Sequence, residues 1–292
     1  MSRFSLVLCL ALPLLGQAPL VLPFRFATPE LPLVLIDIRI NAGPSLIAVL
    51  DTGQGTAPIL VNQRQARDMG VSYKESDRIA GSFGIGSGPA PTIYRAQPIT
   101  LRLGSVALGE IEAAVSNAME PIGRAIGQSI SANIGYLFLK NYTLTLNYRS
   151  QTMSLSRKAI SNGQPFKLGP KKPLAIVEGR INGLGPYRFA VDTGATNSVL
   201  SITLAERLML PRGIPVPVMG ASGPASAYMT KVQEFEVAGR RFRDFSFAAG
   251  DFLDRLAQAA GTNVDGVLGA NAFQNLVLSI DYPNQRLSIT TP

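Results

Sequence analysis

Residues 39–53 read RINAGPSLIAVLDTG and residues 180–194 read RINGLGPYRFAVDTG. Arg39, Ile40, Asn41 and Asp51 recur as Arg180, Ile181, Asn182 and Asp192, each 141 positions later. Working outward, both copies keep the same order of features. After each D-T-G comes an apolar, strand-like piece, 57–61 and 198–200, then a helix-patterned segment, 62–69 and 201–209, opened by Asn62 or Ser201 as a cap. SGPAPTIY, ending at Tyr94, is echoed by SGPASAY, ending at Tyr228, and its Gly and Pro suit a hairpin tip. Each copy closes with two stretches of period-two apolar residues, 134–156 and 268–290, aligned on Gly135 and Gly269.

A repeat this long is a duplicated domain rather than a solenoid unit. The expected architecture is mostly β: two pseudo-symmetric β-barrel lobes with short helices. The lobes are placed at 28–157 and 173–292, joined by a Lys-, Gly- and Pro-rich linker at 158–172. Residues 1–18 place Arg3 before an apolar run that ends in Gly16-Gln17-Ala18, the pattern of a secretory signal peptide. A secreted or periplasmic location is therefore expected. No later stretch is apolar for long enough to suggest an integral membrane segment in the mature chain.

Composition narrows the chemistry. Of 292 residues, 46% are hydrophobic and 16% charged, which suits a globular core. There is no His, and Cys9 in the expected leader is the one Cys, so imidazole-based triads, thiolate nucleophiles, disulfides and His-ligated zinc are excluded from the mature chain. No cofactor and no metal are expected. The net charge of +8 is spread along the chain with no basic run, so no nucleic-acid partner is expected.

Each triplet follows an apolar strand, so the Asp carboxylate leaves the sheet at a turn. A single D-T-G could be an Asx turn that closes a strand, with Gly supplying positive φ. Two copies at equivalent positions require more, because an acid at the end of a buried strand carries a desolvation cost in both lobes.

The paired D-T-G loops, the elements Asn133-Ile134-Gly135 and Val267-Leu268-Gly269, and the Gly-rich hairpins between them resemble the aspartic proteases. The short lobes without disulfides are similar to two retropepsin-like units in one chain. The resemblance implies a catalytic dyad of Asp51 and Asp192, with Thr52 and Thr193 interlocked beneath it and Gly53 and Gly194 permitting the close turns. Hairpins at 81–94 and 216–228 would be flaps, with Tyr94 and Tyr228 as candidate substrate contacts. The implied function is an aspartic endopeptidase acting on a peptide or protein substrate, complete within one chain and so a monomer.

Two departures from the family pattern carry expectations of their own. Where the family usually has Ser, Thr or Ala after D-T-G, the first loop has Gln54, a larger side chain beside the dyad. Asn133 stands where an apolar residue is usual, making the first lobe the more divergent. Neither Gln54 nor Ala195 supplies a hydroxyl to a carboxylate, so the shared proton is expected to be held to higher pH. The alternative function is a catalytically silent peptide-binding or inhibitory protein that keeps the fold. A third reading is an acidic pocket for cationic ligands.

Overall fold

The computed structural model describes residues 18–80 and 84–292. Except for Ala18, the expected leader lies outside the described residues, as do 81–83 in the first hairpin.

The repeat is visible as two β lobes on one shared sheet. In the first lobe, strands Val34–Ile40 and Ser45–Leu50 pair antiparallel, and Ser45–Leu50 runs parallel to Ala132–Ile134. In the second, Ala175–Ile181 and Leu184–Val191 pair antiparallel, and Leu184–Val191 runs parallel to Gly266–Leu268. Asn41 and Asn182 sit at equivalent turns with φ of 54° and 49°. That is a conformation Asn tolerates better than most residues. Their side-chain oxygens accept from Thr100 N and Glu234 N, which ties each turn to a neighbouring strand.

The lobes meet in a six-stranded antiparallel sheet ordered Leu20–Pro23, Thr152–Ser156, Thr143–Asn147, Val277–Asp281, Arg286–Thr290, Gln164–Pro165. Its central pair sets Thr145 opposite Ser279, with 3.2 Å between hydroxyls, and these residues are repeat partners 134 positions apart. The pseudo-twofold axis therefore passes through this contact. Segments at both edges of the expected lobes join the sheet: Leu20–Pro23 on one side, and Gln164–Pro165 from within 158–172 on the other. The apolar faces of this sheet and of both lobes fuse into one core that includes Leu50, Ile134, Leu146, Val191, Leu268 and Leu278. Burying each such side chain contributes about 1.5–3 kcal/mol.

The two helix-patterned segments differ. Ile202–Arg207 is an α-helix following Ser201. Residues 63–70 instead form consecutive turns, in which Gln65 N bonds Asn62 O, Met69 N bonds Gln65 O and Gly70 N bonds Arg67 O. Asn62 does open this segment as expected, since its Oδ1 accepts from Arg64 N. No helix among the described residues is long and apolar enough to cross a membrane.

Candidate active site

Strands Ser45–Leu50 and Leu184–Val191 deliver their D-T-G loops to opposite sides of the lobe interface. Each Asp is pinned through its backbone to the strand it runs beside: Asp51 N donates to Ile134 O at 2.9 Å, and Asp192 N to Leu268 O at 3.0 Å. Each carboxylate also accepts from its own loop, Gly53 N to Asp51 Oδ1 and Gly194 N to Asp192 Oδ1, both 2.8 Å. The local Asx turn is thus present in both copies, and it aims the carboxylates rather than merely closing the strands.

Below them the threonines interlock. Thr52 N donates to Thr193 Oγ1 and Thr193 N to Thr52 Oγ1, at 3.1 and 3.0 Å. Each hydroxyl then donates across to the other lobe's strand, Thr52 Oγ1 to Val191 O at 2.9 Å and Thr193 Oγ1 to Leu50 O at 2.6 Å. Both threonines are buried, so every one of these groups depends on the other lobe for its partner. The glycines are required by close approach: a Cβ on Gly53 would fall 2.5 Å from Asp192 Oδ2, and one on Gly194 would fall 2.6 Å from Asp51 Cγ.

Each carboxyl sits against the other lobe's D-T-G glycine, which brings the two close enough to act on one another. Asp192 is pushed up to about 8, first by burial and then by the charge of Asp51, with the cation of Lys172 acting in the opposite direction. Two buried phenols complete the floor. Tyr148 and Tyr282 are repeat partners whose acidity is suppressed mainly by burial, with the charge of Asp192 adding to the effect at both and those of Tyr136 and Asp51 at Tyr282. Two carboxyls this close do not readily ionise together, so the pair holds a proton to higher pH than an isolated Asp does.

Asn133 is the site residue whose role sequence reasoning missed. Its Nδ2 donates to Asp51 Oδ2 at 2.7 Å, so the first-lobe carboxylate has an outer donor after all. The signal was present, since Asn133 aligns with Val267 beside the dyad strand, but a polar residue in an apolar strand read as divergence. Gln54 does not crowd the pair. Its Nε2 donates to Ala57 O and its Oε1 accepts from Thr56 N and Ala57 N, so the side chain ties down its own turn.

The hairpins meet tip to tip. The second, Pro215–Gly220 paired with Gly223–Val237, turns at Ala221 and Ser222. There Ser222 N donates to Ile85 O, Gly88 N to Ser222 O and Ser87 N to Pro224 O, at 2.9, 2.7 and 2.8 Å. The run 84–88 is thus a contact surface, and Gly86, with φ of 133°, passes so close to Ser222 that a side chain there would collide with its carbonyl. Tyr94 packs against Tyr73 in a tilted arrangement, with ring centroids 5.3 Å apart. Tyr228 lies under the Arg212 guanidinium at 4.9 Å. Both candidate substrate contacts thus pack against side chains of their own lobes.

Comparison with known proteins bears on the fold and on the second lobe. Residues 177–272, one third of the chain and including Asp192, match the aspartyl protease family model. The whole chain is similar in structure to the aspartic proteinase from Irpex lacteus, with a TM-score of 0.55 and 13% identity over 94% of this chain and 97% of that one. No curated protein sequence matches the chain. The chain has the two-lobed β fold of an aspartic proteinase, and its second lobe carries the sequence pattern of the aspartyl protease family.

Proposed function

We propose that the chain is an aspartic endopeptidase that hydrolyses peptide bonds with a water held between Asp51 and Asp192. The observation that carries this reading is the pair itself: two carboxyls at the lobe interface, each held by its own loop amide and set against the other lobe's D-T-G glycine. Asp51, ionised, takes a proton from the water as its oxygen attacks the scissile carbonyl, and Asp192 gives its proton to the carbonyl oxygen. When the tetrahedral diol collapses, Asp51 passes its proton to the departing nitrogen and a diol hydroxyl returns one to Asp192. The pair regains its starting state with no covalent intermediate.

The substrate is an extended peptide lying between the lobes beneath the paired hairpin tips, which must part to admit it. Gln54 motivated the silent peptide-binder reading, and its side chain bonds within its own turn, away from the carboxyls. Both dyad halves come from one chain, so we take the monomer as the working unit, with activity per molecule flat on dilution. We take a secreted or periplasmic location as part of this reading, on the leader pattern at 1–18. Incubating a peptide library with the mature chain tests the function: cleavage is expected, and it should vanish in Asp192→Ala. A library left intact, or cut equally by the variant, overturns it.

A further inference from the structure

The two halves of the dyad are copies in sequence but not in surroundings. Both oxygens of Asp51 have fixed donors, Gly53 N on Oδ1 and Asn133 Nδ2 on Oδ2. Asp192 has the Gly194 amide on Oδ1, and the positions equivalent to Gln54 and Asn133 are occupied by Ala195 and Val267, neither with a side-chain donor. Asn133 is also expensive where it sits. It is only 7% exposed, and its Oδ1 is buried with no hydrogen-bond partner. An orphaned buried acceptor costs stability that an apolar side chain would avoid, and Val267 shows that the twin position accepts one. A buried amide kept at such a cost, with its donor end on a reacting carboxylate, is explained by what it does to that carboxylate. A donor bonded to a carboxylate stabilises the charged form.

We propose, on the strength of the protease reading, that Asn133 is the positioning residue of the dyad: its amide substitutes for the hydroxyl donor missing after D-T-G and fixes the pair's charge on Asp51 and its proton on Asp192. The two carboxyls then have assigned roles, base in the first lobe and acid in the second, before any substrate arrives. Other charged or titratable groups facing the pair are Lys172 from the segment between the lobes, and Tyr148, Tyr282 and Tyr136 from the floor. The Tyr148 and Tyr282 hydroxyls are buried with no hydrogen-bond partner, whereas Asn133 Nδ2 donates to Asp51 Oδ2.

The test uses the full chain labelled with carbon-13 at the aspartate carboxyls, with the dyad signals assigned through Asp51→Asn and Asp192→Asn. Both signals are titrated beside the pH profile of peptide cleavage. Asn133→Val, which copies the second lobe, should raise the pH at which the pair gains its first charge by about one unit. The acid limb of kcat should move with it while KM stays within about twofold, because the lost bond is to the reacting carboxylate. Asn133→Ser, too short to reach Asp51, should give the same shift and serves if the Val chain does not fold. A titration superimposable on wild type in either folded variant overturns the proposal. If the chain cuts no peptide, the protease reading fails, but the carboxyl titration still decides the role of Asn133.

Discussion

The first and second D-T-G loops share backbone, threonine grip and amide donors, and differ in what meets the outer carboxylate oxygen. In the first lobe that oxygen has Asn133, whereas in the second the corresponding strand carries Val267 and the loop Ala195. The grip is symmetric because each lobe needs the other's threonine to satisfy its own buried groups. On the proposed reading, the asymmetric donors give each of two carboxyls that share a proton one role. Duplication thus supplies a scaffold with two equivalent carboxyls, and a change at one strand position makes them inequivalent.

The largest expected effect tests the close approach. Gly53→Ala and Gly194→Ala each put a methyl group against the opposite lobe's Asp, and kcat/KM should fall about a hundredfold or more in both. Activity within a few fold of wild type would mean that the loops can spread without cost. Next comes the symmetry of the grip. Thr52→Val and Thr193→Val each orphan one buried amide and one buried carbonyl, for an expected loss of about 2–3 kcal/mol by urea denaturation. The two losses should agree, and a marked inequality would show that one lobe dominates the interface.

A third prediction concerns pH and stability. Asp192, raised to about 8 in the folded chain, keeps a proton that the unfolded chain releases near pH 4. The folded state then binds more protons, so this group stabilises the fold fully below about pH 4, and that contribution fades as pH rises towards 8. Tm measured across that window should decline in wild type, and less steeply in Asp192→Asn. Equal slopes would place the shared proton elsewhere. The smallest effect sharpens the asymmetry: Ala195→Ser gives Asp192 a hydroxyl donor of its own, and the basic limb of the cleavage profile should move to lower pH by up to about one unit. An unmoved limb would show that the hydroxyl does not reach the carboxyl.

Much of this was legible in the sequence because duplication prints each structural requirement twice. Asn41 and Asn182 recur since both turns need positive φ, and Gly53 and Gly194 recur since both approach the opposite Asp. The less legible parts rest on contacts made by one lobe alone. Residues 62–69 have the spacing of a helix, yet Asn62 ends a strand and 63–70 form turns. Gln54 looks like an obstruction until its three hydrogen bonds show it folded back on its loop. Asn133 looks like divergence because hydrophobic pattern ranks a polar residue in a buried strand as an error, whereas its meaning depends on a carboxylate 82 positions away.

The central claim is that water held by Asp51 and Asp192 cuts the peptide bond directly. A single turnover in water enriched in heavy oxygen, followed by mass spectrometry of both protein and products, tests it most directly. The account predicts one heavy oxygen in each newly formed carboxyl group, an unmodified protein mass throughout, and no cleavage by Asp51→Asn. An acylated protein, or cleavage that survives in Asp51→Asn, would contradict it.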